Sequence, residues 1–305
     1  MSACLRGESK HGRGGCNVAN AIPVSVLILT KNEELDLPGC LDSVAWSDDV
    51  HVFDSHSTDR TVQIAAARGA HVTQRRFDDY ASQRNAALHG LAFKHAWVLT
   101  LDADERVPPP LADLLARFAA APPNVAACRL RRRDFLDDTW LKHSQISPFY
   151  VRLVRPDLVR YERAVNEVLR VDGPIHDLGE PFDHHPFSKG MGHWLDKHNT
   201  YSTMEARCVL DARRGTTTFS LRDALFARDF NERRKNQKEL FYRLPLRPLL
   251  KFLYIYVWRR GFLDGAAGFT YARLQSIYEY LIVLKTRELE SREPSAPPVA
   301  TRDVS

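Results

Sequence analysis

Asp102 and Asp104 close the run Ala96-Trp97-Val98-Leu99-Thr100-Leu101, an apolar, β-favouring stretch that delivers two carboxylates spaced i, i+2. In an extended chain alternate side chains share a face, so both carboxylates can point the same way. Such a pair at a strand end repels itself unless a cation, or a metal carried on phosphate, lies between the two groups. Taken alone, Asp-x-Asp reads first as an acidic turn after a strand. What decides between the two readings is whether other polar clusters fall on the same edge of the fold.

The surrounding pattern alternates strand and helix from Pro23 onward. Val24 to Thr30 is a continuous β-branched run, as in a buried parallel strand. A helix follows through Ala45, then a strand over Val50 to Asp54. Ser57-Thr58-Asp59 offers capping chemistry for a helix that stops at Gly69. Ala70 to Thr73, Tyr80 to Leu91 and His95 to Leu101 read as strand, helix and strand. This order predicts an α/β fold, a doubly wound and mostly parallel sheet with helices on both faces. Ligands of such sheets bind beyond the carboxyl ends of the strands. Thr30-Lys31-Asn32-Glu33, Asp54-Ser55 and Asp102 to Glu105 all lie at such ends, so one site is expected rather than three unrelated turns.

The remainder is less regular. A helix to about Ala120 precedes strands over Val125 to Arg132, Phe149 to Val154 and Val165 to Val171, and a helix runs from Trp194 to Arg214. Of the 305 residues 44% are hydrophobic and 27% charged, values of a globular chain. The net charge of +5 suits a phosphate-bearing partner without choosing one. Five scattered cysteines without a Cys-x-x-Cys pair argue against a disulfide framework or a cysteine zinc site, and fit a reducing cytosol. We expect a disordered leader over 1–22, a catalytic domain over 23–215, a helical extension over 216–290 and a disordered tail over 291–305. The extension is Arg- and aromatic-rich. Its run Leu249 to Trp258 is too short to cross a bilayer, which takes ~20 residues, and instead suits a helix lying in the membrane interface.

Val26 to Glu33, Asp54-Ser55-His56-Ser57-Thr58-Asp59, Gln83-Arg84-Asn85 and Leu101 to Glu105 together resemble the ordered motifs of family 2 glycosyltransferases, nucleotide-sugar enzymes of the GT-A fold. The match is close over about residues 23–106. Glu105-Arg106 and Gly261-Phe262-Leu263-Asp264-Gly265 are similar to the branch that glucosylates the lipopolysaccharide inner core. The resemblance implies a nucleotide-sugar site of Thr30, Asn32, Glu33, Asp54, Ser55, Arg84 and Asp102. It also implies that Asp104 ligates Mg²⁺ or Mn²⁺ on the donor diphosphate. Ser55 and His56 stand where the family pattern has Asp and Gly.

An inverting transfer needs a general base on the acceptor side. Glu167, in the apolar run Val165-Asn166-Glu167-Val168-Leu169, is the expected base, with Asp172 and Asp177 as rivals; a carboxylate in such a run is costly without a task. His184 or His185 is the candidate for a further metal ligand. Gly261, Gly265 and Gly268 are read as helix breaks or close packing. The expected activity is metal-dependent transfer of a hexose, most simply from UDP-glucose, to a lipid-linked saccharide such as lipopolysaccharide core. The place is the cytoplasmic face of the inner membrane, with no nucleic-acid partner. Alternatives are transfer to a polyprenyl phosphate, a phosphohydrolase built on Asp102-x-Asp104, or a non-catalytic nucleotide-binding membrane scaffold. The phosphohydrolase is disfavoured because such enzymes carry their acidic pair after the first strand.

Overall fold

The computed structural model describes residues 21–146, 149–162, 168–214, 220, 222, 236, 240–242 and 244–292. Its first half follows the expected alternation: β1 (Ser25–Thr30), α1 (Leu37–Ser43), β2 (Val50–Asp54), α2 (Thr61–Ala67), β3 (His71–Gln74), α3 (Tyr80–Gly90) and β4 (Val98–Asp102). The fourth strand starts three residues later than expected and ends at Asp102. Then come β5 (Glu105–Arg106), α4 (Pro109–Ala120), β6 (Ala127–Leu136), β7 (Thr139–Trp140), β8 (Phe149–Val154), β9 (Val159–Glu162), β10 (Val168–Val171), β11 (Ile175–Asp177) and β12 (Phe182–His184).

The main sheet runs β3-β2-β1-β4-β8-β6-β12-β5, with β7 and β11 also paired to β6, while β9 and β10 form a separate antiparallel ribbon. β1 to β4 are mutually parallel, and β8 is inserted antiparallel to both β4 and β6. Alternation along β1 feeds two layers. Val26 and Ile28 join Leu99 and Leu101 against α1 and α4, whereas Leu27 joins Val98 and Phe53 against Ala87 and Leu88 of α3. Helices on both faces leave the strand ends as the open edge. All four polar motifs lie along it.

Helix α5 (Gly190–Arg214) starts four residues before the expected Trp194. The C-terminal part holds α6 (Arg247–Leu253), a π-helical turn (Tyr254–Trp258), a 3₁₀ turn (Gly261–Asp264) and α7 (Gly265–Arg292). Its glycines serve both expected purposes. Gly265 turns the chain at φ +63°, and a Cβ on Gly268 would lie 2.0 Å from the Gly261 carbonyl oxygen. That close approach lets Asp264 reach the loop after β7. Its carboxylate accepts from the His143 and Ser144 amides and from Ser144 Oγ, the last two at 2.7 Å. Arg259 donates to the His143 and Gln145 carbonyls, both at 3.0 Å. Among the described residues no helix is long and apolar enough to cross a membrane.

Candidate active site

Asp102 ends β4 with its side chain 37% exposed, between two guanidiniums. Arg152 Nη2 from β8 lies 3.0 Å from Asp102 Oδ2, and Arg84 Nη2 from α3 lies 3.4 Å from Oδ1. Crowding alone would raise this carboxyl, but Arg152 and then Arg84 hold it well below the usual range. Arg152 also pairs with Glu105, which is fully buried and whose Oε2 accepts the Asp102 amide at 3.0 Å. Burial pushes Glu105 up to about 7 despite the opposing pull of Arg152. Glu105 therefore shapes the turn that follows the strand.

Since the strand stops at Asp102, Asp104 is aimed by this turn rather than by alternation. Its Oδ2 lies 3.3 Å from His184 Nε2 on β12. The other imidazole nitrogen, Nδ1, lies 2.6 Å from Asp134 on β6, set there because β12 pairs His184 directly with Asp134. Burial opposes charge on both groups. The hydrogen bonds win, lowering the Asp104 carboxyl and raising His184 to about 9. A carboxylate behind an imidazole is the usual support of a metal-binding histidine, because it fixes the tautomer and turns the free nitrogen outward. Of the two histidines singled out from the sequence, His184 faces Asp104. His185 turns away and stacks on Phe135, with ring centroids 5.2 Å apart.

Asp104 and His184 fit a divalent ion that takes its remaining ligands from phosphate and water. Among the described residues no group of three or more His, Cys, Asp or Glu is arranged to hold an ion alone.

Thr30 and Asp54, both expected at the nucleotide, are bonded to each other. Asp54 is fully buried, and its carboxylate accepts from Thr30 Oγ1, the Ser57 amide and hydroxyl, and Gln74 Nε2. Burial would raise it; these bonds more than compensate and keep it low. Thr30 is buried and spends its hydroxyl on Asp54. Together they shape the loop after β2. That loop is tied to β1 by Lys31, which donates to the Ser55 and His56 carbonyls, and by Asn32, whose side-chain oxygen accepts the Thr58 amide at 2.8 Å. His56, at the family's glycine position, holds φ +54°, the left-handed region glycine favours. Asp59 accepts the Thr61 amide at the start of α2, although the N-cap position itself falls to Arg60, which makes no side-chain capping bond.

Ser55 is nearly buried and accepts from Gln83 Nε2 at 3.0 Å. Glu33 is bridged to Lys189, 2.6 Å away, just before α5, and its Oε2 meets no donor among the described residues. Burial pushes Glu33 up to about 7 even with Lys189 beside it. A folded pKa above the unfolded value adds stability at low pH that is lost as pH rises through 7. Glu33→Gln is therefore expected to stabilise the protein at pH 8 by on the order of 1–3 kcal/mol and by far less at pH 5. Melting curves at the two pH values test this; an equal shift at both would refute it.

On the acceptor side, Glu167 lies outside the described residues, as do Val165 and Asn166 of the expected strand. Of its rivals, Asp177 is committed to Arg129 through two hydrogen bonds of 2.7 and 2.9 Å, and Arg129 holds it below the usual carboxylate range. Asp172 lines a shallow groove with Asn85, His89 and Arg170. Asn85 makes two 2.8 Å hydrogen bonds to the Tyr161 backbone, so α3 is fastened to β9 just ahead of the segment bearing Glu167.

Residues 25–173 match the family described as Glycosyl transferase family 2. This stretch is a glycosyltransferase family 2 domain. It contains the four rim motifs, Asp134 and Arg152; His184 lies beyond it. The chain is 24% identical over 272 residues to a lipopolysaccharide core biosynthesis glycosyltransferase, LpsC, of Rhizobium meliloti, covering 87% of this chain and 92% of that one. It is 38% identical over 91 residues to an uncharacterized glycosyltransferase of Rickettsia bellii, 30% of each chain. A glucosyl-3-phosphoglycerate synthase from Mycobacterium tuberculosis, solved with Mn²⁺ and UDP-glucose, has a TM-score of 0.32 at 22% identity, covering 40% of this chain and 49% of that one.

Three residues that pair with this polar cluster went unread in the sequence. Arg152 left a signal, a lone cation in the apolar strand Phe149-Tyr150-Val151-Arg152-Leu153-Val154, where only a buried partner makes it affordable. Asp134 and Lys189 left none, because their partners lie far away in the chain.

Proposed function

We propose that this chain is an inverting, metal-dependent hexosyltransferase using a nucleotide-sugar donor, most simply UDP-glucose. Its proposed acceptor is a lipid-linked saccharide of the lipopolysaccharide-core kind, met at the cytoplasmic face of the membrane. The observation that carries the reading is Asp104 facing His184, backed by Asp134, on the same rim as Asp102 and Arg84. The similarity to LpsC over most of both chains supports the acceptor class.

In this reading Asn32, Glu33 and Ser55 border the base and ribose, and the orphaned Glu33 Oε2 accepts a sugar hydroxyl. Asp102, restrained by Arg84 and Arg152, takes a ribose hydroxyl directly or through water. Arg84 pairs with phosphate oxygens. Asp104 and His184 would hold Mg²⁺ or Mn²⁺ against the diphosphate, where the ion neutralises charge developing on the leaving nucleoside diphosphate. Glu167 removes the proton from the acceptor hydroxyl. The catalytic part is assigned to residues 23–215 and the membrane-facing part to 216–290.

Thermal-shift measurements with UDP-, GDP-, CDP- and ADP-sugars, each with and without Mn²⁺, test the donor side. Metal-dependent stabilisation by UDP-sugars is expected; none by any nucleotide sugar would leave the scaffold reading in its place. Glu167→Gln should lower turnover roughly 10²–10⁴-fold with donor binding intact. Near-normal turnover would move the base elsewhere.

A further inference from the structure

Helix α6 carries its apolar stripe on the wrong side for a packed helix. Leu249, Leu250 and Leu253 of α6, spaced i, i+1, i+4 as one helical face, are all exposed, as are Leu246 just before the helix, at 71%, and Val257 just after it. The opposite side is the packed one. Arg247 is buried in an ion pair with Glu279 of α7, Ser276 of α7 donates to the Pro248 carbonyl, and Ile255 is buried.

The turns that follow extend the exposed face. Trp258 is 80% exposed, and Phe262 and Leu263 project from the 3₁₀ turn. From Leu244 to Leu263 the chain has no Asp or Glu. The next acid, Asp264, is turned inward onto Ser144. Arg260 stands exposed at the edge of this surface and Lys251 is half-buried on α6, while Arg259 is spent on carbonyls of the loop after β7. Exposed apolar side chains concentrated in one acid-free segment mark an interaction site.

We propose that the face formed by Leu246, Leu249, Leu253, Val257, Trp258 and Leu263 seats the protein in the headgroup region of an anionic phospholipid bilayer. The occupant follows from chemistry. An acid-free apolar stripe with a protruding Trp and long cationic side chains at its edge matches a surface of hydrocarbon beneath negative headgroups, where Trp lies at the boundary and Arg and Lys reach outward. This identifies the surface behind the membrane location in the proposed function, on which it rests.

The test is sedimentation of the full chain with vesicles of phosphatidylglycerol and phosphatidylethanolamine, against vesicles of phosphatidylcholine alone. No nucleotide sugar is present, so binding can fail while donor binding and transfer stand, and the reverse. The wild type is expected to partition at least tenfold more strongly onto the anionic vesicles. The triple variant Leu246→Ser, Trp258→Ser, Leu263→Ser should lose at least tenfold of that binding with an unchanged melting temperature. Lipids brominated near the headgroup should quench wild-type tryptophan emission and spare the variant's. Arg260→Gln should weaken binding several-fold at low salt and little at high salt. Equal partitioning of wild type and triple variant overturns the proposal. So does a wild-type dimer that the triple variant abolishes while vesicle binding is unchanged, for then the face belongs to a second copy.

Discussion

Asp104→Asn is expected to lower glycosyl transfer on the order of 10³-fold while moving the melting temperature by no more than a degree or two. The carboxylate is partly exposed, so its loss leaves no buried charge uncompensated. His184 keeps Asp134, and the turn keeps its buried support, because Glu105 and Arg152 are untouched. What disappears is one of the two protein donors proposed for the ion on the diphosphate. Nucleoside diphosphate release in the presence of acceptor measures the first effect, and circular dichroism melting the second. Wild-type turnover by this variant would remove Asp104 from the reaction. A collapse in stability would instead make it a structural turn residue, the blander reading of an Asp-x-Asp.

The second large effect is on stability. Arg152→Met is expected to cost about 3–5 kcal/mol, the loss usual when one partner of a buried ion pair is removed. In a domain of this size that lowers the melting temperature by roughly 10 °C. Glu105 has almost no solvent of its own, and its carboxyl already stands at about 7 with the guanidinium in place. Without Arg152 its pKa rises further. A raised folded pKa gives stability that is present at low pH and lost as pH climbs through it, so the variant should suffer least at pH 5 and most at pH 8. Adding Glu105→Gln should restore part of the loss, because a neutral amide needs no cation. A pH-independent loss, or no recovery in the double variant, would show that Arg152 matters by packing alone.

Much of the donor half was legible because its elements are local. β-branched and apolar runs place β1 through β3 to within a residue, and the pattern within one segment carries that information, whereas α2 ends at Ala67, two residues short of the expected Gly69. The insertion of β8 between β4 and β6 was not legible, since nothing in Phe149 to Val154 names its neighbours. The same holds for the partner of His184: Asp134 lies fifty residues earlier, and only strand pairing brings them together. Asp54 was read from a motif. A motif tells which residues recur around a ligand but not which touch it, and here the loop itself takes every hydrogen bond that the carboxylate can accept. The C-terminal extension was readable as helical with short apolar runs, whereas the side on which the apolar residues would fall depended on the Arg247–Glu279 pair across two helices.

Gln83, Arg84 and Asn85 are consecutive residues of one helical turn, and each grips a different part of the molecule: Ser55 after β2, Asp102 at the end of β4, and the backbone of Tyr161 in β9. Covalent succession makes these three attachments a gauge of fixed length. The loop after β2, the acidic end of β4 and the strand β9 are tied to one another through the same turn of helix. A change in gauge would therefore appear as a defect in alignment. Shortening Arg84 should release the end of β4 from this turn while Ser55 and the Tyr161 backbone stay attached.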